Sequence, residues 1–314
     1  MRGEVLEWFD DGLVAPDREI EVLRAARMVP TRDEWRVFLG QLTLWLGTLA
    51  LAAAIIFFFA YNWDELGRFA KFGLVEAAIL AGLIACWRLD LDGMAGKAVL
   101  TLLSLLTGAL LALAGQVYQT GADTWELFAW WAVLILPWVL VGRFAPLWLL
   151  WLALLNLAGW LYFQRLWEPE PLFWALFGLN ALALAGWEAA HRSGMAWLQD
   201  GWPPRLVAMA AGTMATALIV YTIMGGGEGG LGFLAVFAYA GWLGAVYYWY
   251  RQVRPDLFML AGGMLSLIVT VATFLAWNMA DGGAGILLMI GLIVIAMSAG
   301  GAMWLKAVAR EPEE

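Results

Sequence analysis

Charges in this chain fall almost entirely between ten long apolar stretches, and that spacing predicts an all-α polytopic transmembrane helix bundle. The stretch at residues 257–277, LFMLAGGMLSLIVTVATFLAW, is typical. About twenty such residues, rising 1.5 Å each, cross a hydrocarbon core of about 30 Å. The spans are placed at 37–61, 69–87, 97–118, 125–141, 145–164, 171–189, 204–224, 231–250, 256–277 and 284–305. The predicted organisation is thus a short cytoplasmic helical segment at 1–36, a transmembrane domain at 37–305 and a cytoplasmic tail at 306–314.

Composition sharpens this picture: 63% hydrophobic and 14% charged residues leave too little polar surface for a 314-residue domain in water. Lipid is the expected solvent. The single Cys86 excludes an intramolecular disulfide, and the single His191 excludes a histidine-cluster metal site, so no metal or cofactor is expected. Residues 1–36 are charged and helix-forming rather than a basic region running into an apolar one. The first span is therefore expected to insert as an uncleaved anchor.

Basic residues predict the orientation. With a cytoplasmic N-terminus, that side carries six Lys/Arg before the first span and nine more, namely Arg88, Lys97, Arg143, Arg192, Arg205, Arg251, Arg254, Lys306 and Arg310. The opposite side holds only Arg68, Lys71 and Arg165. Such a positive-inside bias places both termini in the cytoplasm. The outer loops are acidic, which either concentrates cations or a basic partner, or merely supplies charge that does not upset topology. Many of the 21 Trp sit at span ends, where an indole prefers the headgroup layer.

The N-terminal segment reads as two short amphipathic helices and a third that enters the membrane. Gly12 suits a helix end, Pro16 a helix start, and Thr31 with Glu34 a capping box. Leu6, Phe9, Leu13, Ile20 and Leu23 supply a small apolar face, which either packs on the rest of the protein or docks a protein partner at residues 1–30. Three stretches here carry a family likeness: Gly12-Leu13-Val14, the A-x-N-W-D-E-L run at 60–66, and the G-Q-x-Y-x-x-G-A-D run at 115–123 followed by Leu127-Phe128 and Trp130-Trp131. In these the chain resembles the bacterial membrane family DUF2157, over about its first 140 residues. The resemblance implies a membrane protein of unknown function and brings no chemistry with it. The expected location is the bacterial inner membrane.

Two groups of residues are candidate sites. Asn62, Trp63, Asp64, Gln116, Tyr118, Gln119 and Asp123 lie in the loops leaving spans one and three and form a possible outer-face polar cluster. Helix capping accounts for part of it, with Asp123 and Glu126 predicted to form a capping box for span four. Within the membrane, Glu76 lies about 10 Å below the outer end of span two. An ionisable group at that depth costs on the order of 2.5–3.5 kcal/mol at a span centre, and it points either to proton or cation handling or to a helix-bridging carboxyl. Asn156 and Asn180 come near the midplane of spans five and six, where a mutual amide hydrogen bond would satisfy both. Small residues at Ala208, Gly212 and Thr216, and at Ala296 and Gly300, mark close helix contacts.

No P-loop, nucleophile elbow, zinc-protease motif or EF-hand occurs, and GGGEGG at 225–230 lacks the strand and lysine of a phosphate cradle. The net charge of −8 and absence of a basic stripe exclude nucleic acid as a partner. The chain is not expected to be an enzyme. Two functions fit: a carrier of a small solute or cation, using Glu76, Asn156 and Asn180, or a non-transporting sensor or scaffold acting through its N-terminal helices and outer-face cluster.

Overall fold

The computed structural model describes residues 8–9, 11, 13–15, 18–26, 28–61, 67–119, 121–166, 169–226, 231–279 and 283–310, and every regular element among them is helical. The α-helices are α1 (Glu19–Ala25), α2 (Arg32–Tyr61), α3 (Arg68–Arg88), α4 (Met94–Tyr118), α5 (Thr124–Gly142), α6 (Ala145–Leu166), α7 (Pro169–His191), α8 (Trp202–Ile223), α9 (Leu231–Tyr248), α10 (Leu257–Asn278) and α11 (Gly283–Val308). A 3₁₀ turn, Ala196–Leu198, precedes α8, and a π-helical turn, Trp249–Val253, extends α9. Ten helices, α2 to α11, are long and apolar enough to cross a membrane. Each predicted span falls on one of them.

Two compact units divide the chain, residues 1–113 and 114–314. In the first, α2 begins five residues ahead of the predicted span because its start is set by a capping box. Thr31 N–H donates to Glu34 Oε2 at 2.6 Å and Glu34 N–H donates to Thr31 Oγ1 at 3.2 Å, so two of the orphan donors of a helix start are satisfied reciprocally. Helices α3 and α4 meet where Gly82 lets Leu103 approach: a Cβ there would stand 2.7 Å from Leu103 Cδ2. Between them the chain reverses through an Asx turn in which Asp92 N–H donates to Asp90 Oδ1 at 3.1 Å.

Of the expected N-terminal apolar face, Phe9 and Leu23 are half-buried. Leu13 is 71% and Ile20 59% exposed, and α1 buries none of its residues. Some thirty residues bury too little surface to hold a core of their own. Leu6, Gly12 and Pro16 lie outside the described residues.

In the second unit α8 is the central helix, packed against α6, α7, α9 and α10. Its inward stripe, Val207, Ala211, Ala215 and Leu218, is at most 2% exposed. The stripe is mostly small because helices in lipid gain nothing by hiding leucine from leucine-like solvent, and cohere instead through close backbone approach. Gly212 faces the Trp242 ring, with a Cβ position 3.7 Å from Nε1. The small-residue contact expected at Ala296 and Gly300 occurs one position on, at Gly301, where a Cβ would stand 2.9 Å from Met264 Cγ, while Gly300 has open space. Outward-facing Leu182, Phe233, Leu287 and Met303 are each more than two-thirds exposed, as lipid-facing side chains are.

Gly96 offers a direct check of the α3–α4 turn. A Cβ at Gly96 would stand 2.7 Å from Leu91 Cα, a backbone atom that cannot swing aside, whereas at Gly73 it would meet nothing within 4 Å. Gly96→Ala is expected to cost about 1–3 kcal/mol by overpacking. Melting of the detergent-purified protein should show Gly96→Ala below the parent and Gly73→Ala level with it or above.

Candidate functional site

Among the described residues, a dense buried polar arrangement is centred on Glu188, near the end of α7. Its side chain is 7% exposed and both oxygens are hydrogen-bonded. Tyr250 OH donates to Oε1 at 2.9 Å and Trp249 Nε1 to Oε2 at 3.3 Å, while one amino group of Arg254 donates to both oxygens, at 3.1 and 3.0 Å. Arg192 lies over the Trp249 ring, 4.8 Å from its centroid, which adds a cation–π contact typically worth about 0.5–1 kcal/mol.

The π-helical turn makes this convergence possible. Arg254 N–H donates to Trp249 O at 2.8 Å, a bond spanning five residues. In a regular α-helix residues five apart lie about 140° apart around the axis, and the wider turn brings Arg254 back toward the face of Trp249 and Tyr250. Beside it, Asp256 caps α10 by accepting from Phe258 N–H at 2.9 Å and pairs with Arg205 Nε at 3.0 Å. Two ion pairs therefore tie the α7 end and the α8 start to the α9–α10 connection. His191 closes the α7 end with its Nδ1 at 2.9 Å from Leu198 O, next to a group of rings formed by Trp148, Trp187 and Trp197.

Deeper in the bundle, Asn156 and Asn180 meet as their positions predict. Asn156 Nδ2 donates to Asn180 Oδ1 at 3.1 Å and Asn180 Nδ2 to Asn156 Oδ1 at 2.6 Å. The remaining amide hydrogens go to Leu152 O and Leu176 O, both at 2.8 Å, so four donors and both acceptors are used. A second closed system joins α8, α9 and α10 through hydroxyls. Thr216 Oγ1 and Ser266 Oγ are 2.7 Å apart, Ser266 Oγ and Tyr239 OH 2.9 Å, and Thr270 Oγ1 and Tyr239 OH 2.8 Å. At its ends Thr216 reaches Gly212 O at 2.6 Å and Thr270 reaches Ser266 O at 2.9 Å.

The other predicted residues fare differently. Asn62, Trp63 and Asp64 lie outside the described residues. Gln116 and Tyr118 are exposed on the last turn of α4, and Gln119, with φ 45°, forms its left-handed exit. Asp123 does not form the expected capping box with Glu126: its side chain makes no cap hydrogen bond and instead pairs with Arg165 in the last turn of α6. A full charge is a stronger partner for a carboxylate than a backbone amide. Glu76, read either as a proton- or cation-handling group or as a helix-bridging carboxyl, is exposed on α3, and Arg68 lies over the Phe69 ring.

Sequence reasoning missed the Glu188 centre, because its partners lie 61 to 66 residues away. One signal was available. Glu188 sits inside the limits of span six, on the membrane side where bases otherwise collect, and an acid so placed needs a cation.

Two outcomes are expected from these geometries. Glu188→Ala should cost about 3 kcal/mol, the low end for breaking a buried pair because the Arg254 side chain is 27% exposed, and Glu188→Gln, which keeps an acceptor, should cost less. Asn156→Leu or Asn180→Leu alone strands a buried amide at about 1–3 kcal/mol, and the double variant should recover most of that loss. Thermal melting in one detergent measures both.

No curated protein and no solved structure matches the chain. A family model described as Predicted membrane protein (DUF2157) matches residues 6–148, a stretch that contains all three motifs quoted above. Ten helices long and apolar enough to cross a membrane agree with this match, and over residues 6–148 the chain is similar to the DUF2157 family.

Proposed function

We propose that this protein is a non-transporting membrane scaffold, acting through fixed polar positions at its ends and through its N-terminal segment. The observation that carries this reading is the closure of two intramembrane polar systems in residues 114–314. The Asn156–Asn180 pair and the Thr216–Ser266–Tyr239–Thr270 chain spend their hydrogens on one another or on nearby carbonyls. Carriers present unpaired polar groups and broken helix ends to a hydrated midplane site. Here the same residue types join helices. The Glu188–Arg254 pair and the Arg205–Asp256 pair hold the end face of this unit rigid, which suits a surface that a cytoplasmic protein reads.

A carrier of a small solute or cation is the second reading, and Glu76 favours it. An exposed carboxyl in the middle third of α3 is costly against lipid, and handling a proton or cation would repay that cost.

Reconstitution into proteoliposomes separates the two. The scaffold reading expects proton, cation, amino-acid and sugar flux no greater than in protein-free vesicles, together with loss of a co-purifying protein when residues 1–30 are deleted. Flux that disappears in Glu76→Gln while the protein still melts as the parent does would establish the carrier instead.

A further inference from the structure

Helices α8, α9 and α10 leave a cleft of about 470 Å³ between them, open on one side, with Met209, Thr216, Trp242, Phe258 and Gly262 among its walls. Its α8 wall runs from Ala208 to Val220, about 18 Å along the axis at 1.5 Å per residue, slightly more than the hydrocarbon depth of one leaflet, about 15 Å. Missing side chains create it. Gly212, Gly262 and Gly263 line the cleft, and a Cβ on Gly262 would meet nothing within 4 Å.

The chemistry of the walls defines the occupant. Thr216 and Ser266 are the deep hydroxyls, and both are committed to the internal chain with Tyr239 and to the Gly212 carbonyl. A hydrated solute would give up its water there with little offered in return, and that exchange costs several kcal/mol per polar group. An apolar chain gives up nothing. At the mouth the character changes: Phe258, a wall residue, lies beneath the Arg205 guanidinium, 5.5 Å from ring centroid to Cζ. Arg205 gives only its Nε to Asp256, so both terminal amino groups are available for an anion, and the side chain is 44% exposed. The same end of this unit gathers Arg143, Arg192, Arg205, Arg251, Arg254 and Lys306 against Glu188, Asp200 and Asp256.

We propose that this cleft binds one acyl chain of an anionic phospholipid, with the lipid phosphate held by Arg205 at the mouth. A guanidinium fork matches phosphate in a bidentate geometry, and anionic lipids are enriched in the cytoplasmic leaflet that the basic loops predict for this end. The proposal does not depend on whether the protein transports. It assigns the cleft a lipid ligand under either reading.

Native mass spectrometry of the full chain released from detergent, titrated with phosphatidylglycerol or phosphatidylethanolamine, tests it. One tightly retained phosphatidylglycerol adduct is expected, with at least about tenfold preference over phosphatidylethanolamine. Gly262→Leu, whose Cβ would meet nothing within 4 Å, fills the cleft from α10 and should abolish that adduct. Thr213→Leu narrows it from an exposed wall position on α8 and should do the same, which guards against misfolding of either variant. Arg205→Gln should keep an adduct but lose the headgroup preference. Equal retention of the two lipids, an unchanged adduct in both filling variants, or a dimer of the chain in place of the adduct would each overturn the proposal.

Discussion

The absence of water in the hydrocarbon core governs this molecule more than any single contact. A polar group there must find its partner within the protein, since lipid supplies none. Helices solve the problem for the backbone, and many hydroxyl and amide side chains follow the same rule in both units. Thr101, Ser104, Thr107, Thr216 and Thr222 return their hydroxyls to the carbonyl four residues earlier. Asn156 and Asn180 do this with one amide hydrogen each and use the other to find one another. Hydrophobicity puts the helices in the membrane, and these few polar bonds decide which faces of α6, α7, α8, α9 and α10 meet.

Near the membrane end the rule relaxes and charge takes over. Glu188 takes four hydrogen bonds from three donor groups, and their convergence requires a π turn that a regular α9 would not supply. Arg205 and Asp256 repeat the device one loop away, with Asp256 also capping α10. Both pairs join segments that are far apart in sequence, so the end of this unit is stitched across its connections rather than along them.

This distinction explains what could be read from the chain alone. Span positions follow from local composition, and all ten lie on helices. The Asn156–Asn180 bond was legible because the two residues sit at matching depths on consecutive helices, where a short connection all but dictates that they are neighbours. Glu188 and Arg254 were not, since two full helices separate them and nothing local records the pairing. Asp123 shows the converse: its local pattern spells a helix cap, and Arg165, 42 residues on, outbids the backbone amide. For Glu76, depth along α3 was legible and direction around it was not, because α3 carries apolar residues on every side and no polar face marks the one that meets protein.

The hydroxyl chain across α8, α9 and α10 has one sense that uses all four hydrogens with Thr270 as the donor to Tyr239. Thr270 gives to Tyr239, Tyr239 to Ser266, Ser266 to Thr216 and Thr216 to the Gly212 carbonyl. The four O–H dipoles then run head to tail, so the bonds that set which helices touch also leave the middle of the bundle with a small electric dipole whose positive end points at the α8 backbone.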